Sequence, residues 1–339
     1  MSDLRYVYTN LIPQNTAPQG TEKIGVYNAN GDRLFGIMLG SLTPTASEKL
    51  YSFGIISDSH IMAQASGYSG TYPSLKLDNA LTWFEEQGAK FVCHAGDITN
   101  HGFWNSDGTK DLTQFAEYKR ICDLHPNLPV YAACGNHDSY FTPITETLTD
   151  LQQYTGHSLY FSIPYGNDLF VFIGQPENHI AMNDEEYQWL SSTLSASNGK
   201  RCFIFVHPFF SGDSGNPQNA YSGNMLDSRP ELKTLLSQYN TMLLHGHSHF
   251  RFDCQEIEET AIYTDKNGFR SMHIPSITAP AIVNSSGSRE QISTESYGFL
   301  VDVYADCVVF NARNFGIVSG NAMINPKWQP ISTYKIDMA

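Results

Sequence analysis

Five short stretches place acids, an amide and imidazoles directly after apolar runs. They are Ser57-Asp58-Ser59-His60, Ala95-Gly96-Asp97, Gly135-Asn136-His137-Asp138, Val206-His207-Pro208 and His245-Gly246-His247-Ser248-His249. The Asp58 and Asp97 carboxylates, an amide oxygen and several imidazoles form a mixed oxygen and nitrogen donor set with no thiolate in it. Such donors suit hard or borderline divalent ions (Mn, Fe, Zn or Mg) rather than a structural zinc. They are too many for one ion. A carboxylate shared between two cations sets them roughly 3.5–4 Å apart, an arrangement suited to in-line displacement at phosphorus. Each stretch alone also has an ordinary reading: Asp58-x-His60 and Asn-His-Asp make hydrogen-bonded turns, and Asp97 makes a helix cap. His247 and His249 point to one face of an extended segment, a spacing that suits a metal.

The donors need elements to carry them. YSFGIIS, KFVCHAG, PVYAAC, CFIFVH and TMLLHG read as buried strands. Helices are expected in SLKLDNALTWFEEQG, with Ser74 as N-cap and Gly88 past the end, and in DLTQFAEYKRICDL, NDEEYQWLSSTL and RPELKTLLSQY. Asn183 or Asp184 would cap the third. Asp58, Asp97 and Asn136 are separated by 39 positions each, long enough for strand–helix–strand crossovers. If the strands are parallel, all five tips fall on one sheet edge, the carboxyl end where open α/β sheets bind ligands. Gly135 is expected to turn the backbone sharply and release the three polar side chains behind it.

Alternating strands and helices from residue 51 imply a layered α/β sandwich, with SLYFSIP and DLFVFIG as a strand pair and a strand-rich stretch after 250. Before it, IGVYNANGDRLFGIML reads as a hairpin around Asn-Ala-Asn-Gly-Asp. The expected organisation is therefore a small β appendage with its linker over 1–50, a main domain over 51–317 and a tail over 318–339 that packs on the core.

Of 339 residues, 41% are hydrophobic and 16% charged, as in an ordinary folded protein, and the net charge is −14. That argues against a surface built to coat nucleic acid and equally against binding anionic membranes. An anionic substrate would have to be held by something other than bulk charge, and a bound metal is the natural candidate. The six cysteines contain no CxxC pair and are expected to be free thiols. No apolar run reaches the ~18 residues of a membrane span. MSDLRYVYTN lacks a basic region followed by an apolar core, so no signal peptide is read and cytoplasm is the default expectation. The oligomeric state is left open.

Asp-x-His, Gly-Asp, Gly-Asn-His-Asp, a lone His and Gly-His-x-His, in that order over residues 58 to 249, resemble the calcineurin-like metallophosphoesterase superfamily. The resemblance implies a four-layered α/β/β/α sandwich. By position it implies Asp58, His60 and His249 on one metal, Asp97 bridging both, and Asn136, His207 and His247 on the other. His137 would assist the leaving group, with Asp138 orienting it from behind. It also implies two divalent metal ions and a small phosphate ester as substrate. Hydrolysis would then run by in-line attack of a hydroxide bridging the metals, with His137 supplying a hydrogen bond or proton worth typically 10²–10⁴-fold.

Departures narrow the substrate. Asn100 stands where purple acid phosphatases place a tyrosine, and Asn100-His101-Gly102 where protein phosphatases carry Asp-Arg-Gly. GDITNHG is closer in style to class III cyclic nucleotide phosphodiesterases and glycerophosphodiesterases, although Ser139-Tyr140-Phe141 replaces their following Arg. Asn100 and His101 are candidates for substrate contact. The rim is expected from loops 98–110, 138–150 and 208–228, the last a lid in which Phe209, Phe210 and Tyr221 either line a slot or anchor the loop in the core. These segments hold no concentrated arginine clamp. The favoured reading is a small phosphodiester, with a phosphomonoester second. A protein-binding scaffold with an impaired metal site is the alternative of another class, although none of the expected ligand positions is lost. Among the other histidines, His245 is expected beside the site or in the core and His94 packed in its strand. His125, His157, His179 and His273 are expected in structural or surface roles.

Overall fold

The computed structural model describes residues 7–10, 21–27, 33–40, 48–62, 71–100, 102, 109–139, 144–176, 181–210, 226–250, 262–264, 267–277, 296–315, 317–319, 322–324 and 330–338. The hairpin read near the N-terminus forms: β1 (Val7–Asn10), β2 (Thr21–Tyr27) and β3 (Arg33–Gly40) are an antiparallel meander. Then follow β4 (Tyr51–Ile56), α1 (Thr71–Glu86), β5 (Val92–His94), α2 (Thr113–Asp123), β6 (Val130–Ala132) and α3 (Ile144–Thr155). Next are β7 (Tyr160–Tyr165), β8 (Asp168–Ile173), α4 (Asp184–Ser195), β9 (Arg201–Val206), α5 (Glu231–Ser237) and β10 (Thr241–Phe250). The last elements are all strands: β11 (Ile262–Thr264), β12 (Arg270–Pro275), β13 (Tyr297–Val303), β14 (Cys307–Asn314), β15 (Ile317–Ser319), β16 (Ala322–Ile324) and β17 (Pro330–Asp337).

Two sheets organise these elements. The larger runs β1-β2-β3-β17-β14-β13-β4-β5-β6 and the smaller β11-β12-β10-β9-β8-β7. Within them β4, β5 and β6 are mutually parallel, as are β8, β9, β10 and β12. The N-terminal meander continues the larger sheet, because β3 lies alongside β17, which in turn pairs with β14.

Three apolar layers explain why the sheets stack. Phe53, Ile55, Phe170, Phe203, Leu244 and Phe299 fill the space between the sheets. In α1, Leu77, Leu81 and Phe84 recur at helical spacing and pack with Phe115 and Ile121 of α2 on the outer face of the larger sheet. Leu190 and Leu194 of α4, with Leu232 and Leu236 of α5, cover the outer face of the smaller sheet. The result is helix, sheet, sheet, helix, the expected four-layered order. At the end of the sandwich away from the strand tips, Arg201 grips the buried Asp168 carboxylate through two nitrogens (2.8 and 2.9 Å) and donates to the Tyr304 and Met338 carbonyls. Tyr51 donates to the same carboxylate.

Some boundaries differ from the sequence reading. Helix α1 begins at Thr71 rather than after Ser74, with Pro73 in the first turn, where its missing N–H costs nothing. Ser74 therefore lies inside the helix. Gly88 does end it: its φ is +73°, its N–H reaches the Glu85 carbonyl, and Ala89 N–H closes back on the Phe84 carbonyl. Helix α3 occupies much of the stretch expected as a rim loop over 138–150. Asn183 caps α4 in a reciprocal box with Glu186. Among the described residues no helix is long and apolar enough to cross a membrane. Cys93, Cys122, Cys134, Cys202 and Cys307 are free thiols, and Cys254 lies outside the described residues.

Candidate metal centre

The five polar stretches meet, but not on one sheet edge. Those after β4, β5 and β6 belong to the larger sheet, and those of β9 and β10 to the smaller. The carboxyl ends of the two sheets abut. Within the larger sheet the extended loops continue the ladder beyond the strands: Asp58 N donates to the Gly96 carbonyl (3.0 Å), His60 N to Asp97 (3.0 Å) and Ile61 N to Ile98 (2.9 Å). Across the sheets, His247 N donates to Asp58 Oδ1 (3.3 Å) and Ile277 N to the Ser57 carbonyl (2.9 Å).

Two glycines permit this approach. A Cβ on Gly246 would stand 1.8 Å from Ser57 Oγ and 2.8 Å from Asp58 Oδ2. A Cβ on Gly135 would stand 2.3 Å from both the Asp97 nitrogen and Asp97 Oδ1. Gly135 does not have positive φ; it supplies space beside Asp97, and the chain turns over residues 136–139 directly after it.

The backbone marks the same place independently. Among the described residues six non-glycines have positive φ, and five of them are Asp58 (54°), His60 (43°), Asp97 (53°), His247 (65°) and His249 (48°). The left-handed region costs an L-residue roughly 1–2 kcal/mol, somewhat less for residues whose polar side chains bond locally. Strain gathered at one spot and held by the surrounding ladder is characteristic of functional sites.

The side chains converge in two groups. Asp58, His60, Asp97 and His249 present one donor atom each within 4.8 Å of one another, and so do Asp97, His207 and His247. Asp97 belongs to both. His60 Nε2 lies 3.2 Å from His249 Nε2 and 3.6 Å from Asp97 Oδ2. His249 Nε2 lies 3.4 Å from Asp58 Oδ1. Asn136 sits between Gly135, which packs on Asp97 Oδ1, and His137, whose N–H donates to that oxygen at 2.9 Å.

His207 shows how the donors are aimed. Its Nδ1–H donates to the Ala95 carbonyl at 2.8 Å, which leaves a lone pair on Nε2 in the neutral ring. That nitrogen faces Asp97 Oδ2 at 3.0 Å without hydrogen-bond alignment. Asn136 Oδ1 is likewise buried without a hydrogen bond. Buried electron-pair donors that face one another need a proton or a metal cation between them. The residues therefore fit a pair of divalent metals.

Electrostatics without metal agree. Burial opposes charge on His207, but the facing Asp97 carboxylate outweighs it and raises the imidazole to about 9. Burial would raise Asp97 too, yet His207 and His137 hold it well below the usual carboxylate range. Burial raises Asp58, with His249 and His207 opposing. His60 and His247 are pushed well down, first by burial and then by neighbouring imidazoles, so they stand neutral as ligands must.

His137 is half-buried at the mouth, its ring edge-on to His60 at 4.8 Å. Its Nδ1 lies 2.7 Å from the Asn100 carbonyl, which accepts that ring's N–H. The partner orienting His137 is thus Asn100, not Asp138 as expected. Asp138 faces the other way: its buried carboxylate accepts from Gly135 N (2.8 Å), Ile98 N (3.0 Å), Thr99 N (2.8 Å) and Thr99 Oγ1 (2.9 Å). It clamps the β5 loop to the β6 loop, and burial followed by the nearby Asp97 raises it to about 6. Sequence offered no signal for this clamp, because a carboxylate beside a histidine has the more familiar orienting role.

Phe209 and Phe210 are core residues, Phe209 stacking on the buried His245, which in turn meets His273. His125 ties to Asp78 and Glu85 of α1, and His157 stacks on Phe161. His101, Tyr221, His179 and most of the expected lid lie outside the described residues.

A family model for calcineurin-like phosphoesterases matches residues 51–251. The chain belongs to the calcineurin-like phosphoesterase family. Its enzymatic class is accordingly that of a metal-dependent phosphoesterase. Solved structures share the fold at low identity. A dimetal phosphatase from Danio rerio is 15% identical with a TM-score of 0.56, over 86% of this chain and all of that one. A purple acid phosphatase from yellow lupin seeds is 16% identical with a TM-score of 0.57, over 94% of this chain and 59% of that one. GAP50, the anchor in the inner membrane complex of Plasmodium, is 12% identical with a TM-score of 0.56, over 86% of this chain and 90% of that one. No curated protein matches the sequence significantly.

Proposed function

We propose that this calcineurin-like phosphoesterase hydrolyses a small phosphodiester at a site holding two divalent cations. The observation that carries the reading is Asp97, buried and common to two separate clusters of donor atoms. Asp58, His60 and His249 would hold one cation with it, and Asn136, His207 and His247 the other. Bound there, such a pair lowers the pKa of water and neutralises charge on phosphoryl oxygens. The protein's part is orientation. The Ala95 carbonyl fixes His207 with Nε2 inward, and Asp138 fixes the two loops that carry Asp97 and Asn136. The Asn100 carbonyl holds Nδ1–H of His137, so a proton passed to the leaving oxygen comes from Nε2 of the imidazolium.

Charge supports the diester over the monoester. The segments 98–110, 138–150 and 208–228 contain no arginine and a single lysine, Lys110, which pairs with Asp150 at 2.5 Å. A monoester dianion asks for more positive charge around it than a diester monoanion does. Asn100 in place of a metal-binding tyrosine and the GDITNHG tract support the same side. The scaffold reading, to which the likeness to GAP50 lends only the fold, requires a lost donor, and all seven positions are filled.

The test is hydrolysis of a bis-aryl phosphate against a mono-aryl phosphate by protein reconstituted with Mn2+, Fe2+, Zn2+ or Mg2+. Preference for the diester is expected. Preference for the monoester reverses the substrate assignment, and inactivity with every cation removes the hydrolase reading in favour of a scaffold.

A further inference from the structure

His94 and Ser59 stand behind the metal-facing side chains, and both are completely buried. His94 ends β5 and meets Tyr118 of α2 edge-on, so its ring points into the helix-covered side of the sheet, away from the cluster. Three contacts define its state. Gly96 N–H donates to His94 Nδ1 at 3.2 Å, which makes Nδ1 an acceptor. Ser59 Oγ–H donates to the Ile98 carbonyl at 2.8 Å, which uses the only hydroxyl proton. The remaining contact, His94 Nε2 to Ser59 Oγ at 2.9 Å, must then run from ring N–H to hydroxyl oxygen. Both ends select the same neutral Nε2–H tautomer. Burial, with His207 adding to it, lowers the imidazole to about 3, so that tautomer persists.

The relay therefore reads Gly96 N–H, His94, Ser59, Ile98 carbonyl. It begins one residue before Asp97 and ends one residue after it, and it passes through the residue between Asp58 and His60. All three of those donors have positive φ, and Gly96 itself stands at +94°. Building on the dinuclear site proposed above, we infer that His94 and Ser59 are positioning residues, a neutral hydrogen-bond relay that touches neither cation nor substrate but holds the Asp58–His60 and Gly96–Ile98 loops in the conformation that binds metal. Supporting groups of this kind typically change metal affinity 10–100-fold when removed.

The test uses the full chain freed of metal. His94→Phe keeps the ring volume and removes both hydrogen bonds, Ser59→Ala cuts the relay at its centre, and His94→Gln keeps a donor near the Nε2 position. Calorimetric titration with Mn2+ is expected to show affinity lowered 10–100-fold in H94F and S59A, and substantially recovered in H94Q. The double variant H94F/S59A should be no weaker than the worse single one by more than a few-fold, since one relay is broken once. Hydrogen exchange of the metal-free proteins should rise at residues 57–61 and 95–99 and stay unchanged in β13, a pattern that general destabilisation does not give. Wild type binding Mn2+ with H94F and S59A equal to it overturns this inference alone. So does unchanged exchange in both loops, which remains decisive if one variant folds poorly, because the other still reports. Wild type taking up no Mn2+ overturns the dinuclear reading and this inference with it.

Discussion

His207 Nε2 stands 3.0 Å from Asp97 Oδ2, both atoms buried, with no hydrogen-bond alignment between them. In the metal-free protein the carboxylate raises that imidazole to about 9 against the effect of burial. A cation must displace this proton to reach the nitrogen. Mn2+ affinity should therefore strengthen by about tenfold per pH unit between pH 6 and 8, with one proton released. Titration in buffers of different ionisation enthalpy measures the release. A flat pH profile would show that His207 is already neutral and the proposed competition absent.

Asp97→Asn tests the shared position. Wild type at a hundredfold excess of Mn2+ over its dissociation constant should gain about 2.7 kcal/mol of stability. D97N removes the charge common to both clusters and should lose nearly all of that gain while remaining folded. Thermal melts with Mn2+ and with chelator give the comparison, and an undiminished gain in D97N would place the cations elsewhere.

What the sequence revealed and what it concealed divide along the range of the contacts. Periodicity located β4, β5, β9 and β10 because their runs of buried side chains are local patterns, and the donors at their ends were visible as residue types. The abutting of two sheets was not visible, since His247 and Asp58 are 189 positions apart and only folding brings them to 3.3 Å. Nor was the start of α1, where Pro73 tolerated in the first turn outweighed the capping preference of Ser74. Asp138 and His94 show the same limit. Their neighbours in sequence suggested an orienting acid and a packed strand residue, and their hydrogen bonds to other loops make them a clamp and a relay.

His137→Ala separates chemistry from metal binding. The ring lies at the mouth, and its Nδ1–H is committed to the Asn100 carbonyl, so its loss removes a proton donor without removing a proposed ligand. Hydrolysis of an aryl diester should slow roughly 10²–10⁴-fold. Metal content measured by atomic emission should stay at the wild-type level. The loss should shrink for leaving groups that depart readily without a proton. Loss of bound metal in H137A would instead make His137 a ligand.

Gly246→Ala tests how closely the sheets must approach. The new Cβ would fall 1.8 Å from Ser57 Oγ, and a parallel bridge from Ser57 to Ser276 leaves the β4 end little freedom to withdraw. Overpacking of this kind costs about 1–3 kcal/mol. G246A should lower stability by that amount and weaken Mn2+ binding, because the strand that shifts carries His247 and His249. Adding Ser57→Gly removes the nearest obstructing atoms and should restore part of both losses. Wild-type metal affinity in G246A would show that the approach is looser than the structure gives.

Glu186 supplies a pH dependence independent of the metals. It is buried in α4 with Oε2 accepting from Asn183 N at 2.9 Å, and burial raises its carboxyl to about 8 from 4.5, with Asn183 opposing and Glu185 adding to the rise. Between those values the folded chain holds a proton that the unfolded chain has released. Its contribution to stability is therefore complete below about pH 4.5 and is lost as pH rises through about 8. At about 1.4 kcal/mol per pKa unit, the loss is on the order of 3–5 kcal/mol. Glu186→Gln keeps the capping geometry and cannot ionise. Urea unfolding with chelator present, from pH 5 to 8.5, should show the wild type falling relative to E186Q across that window, other titrating groups being common to both. Parallel stability curves would mean that Glu186 is charged in the folded protein.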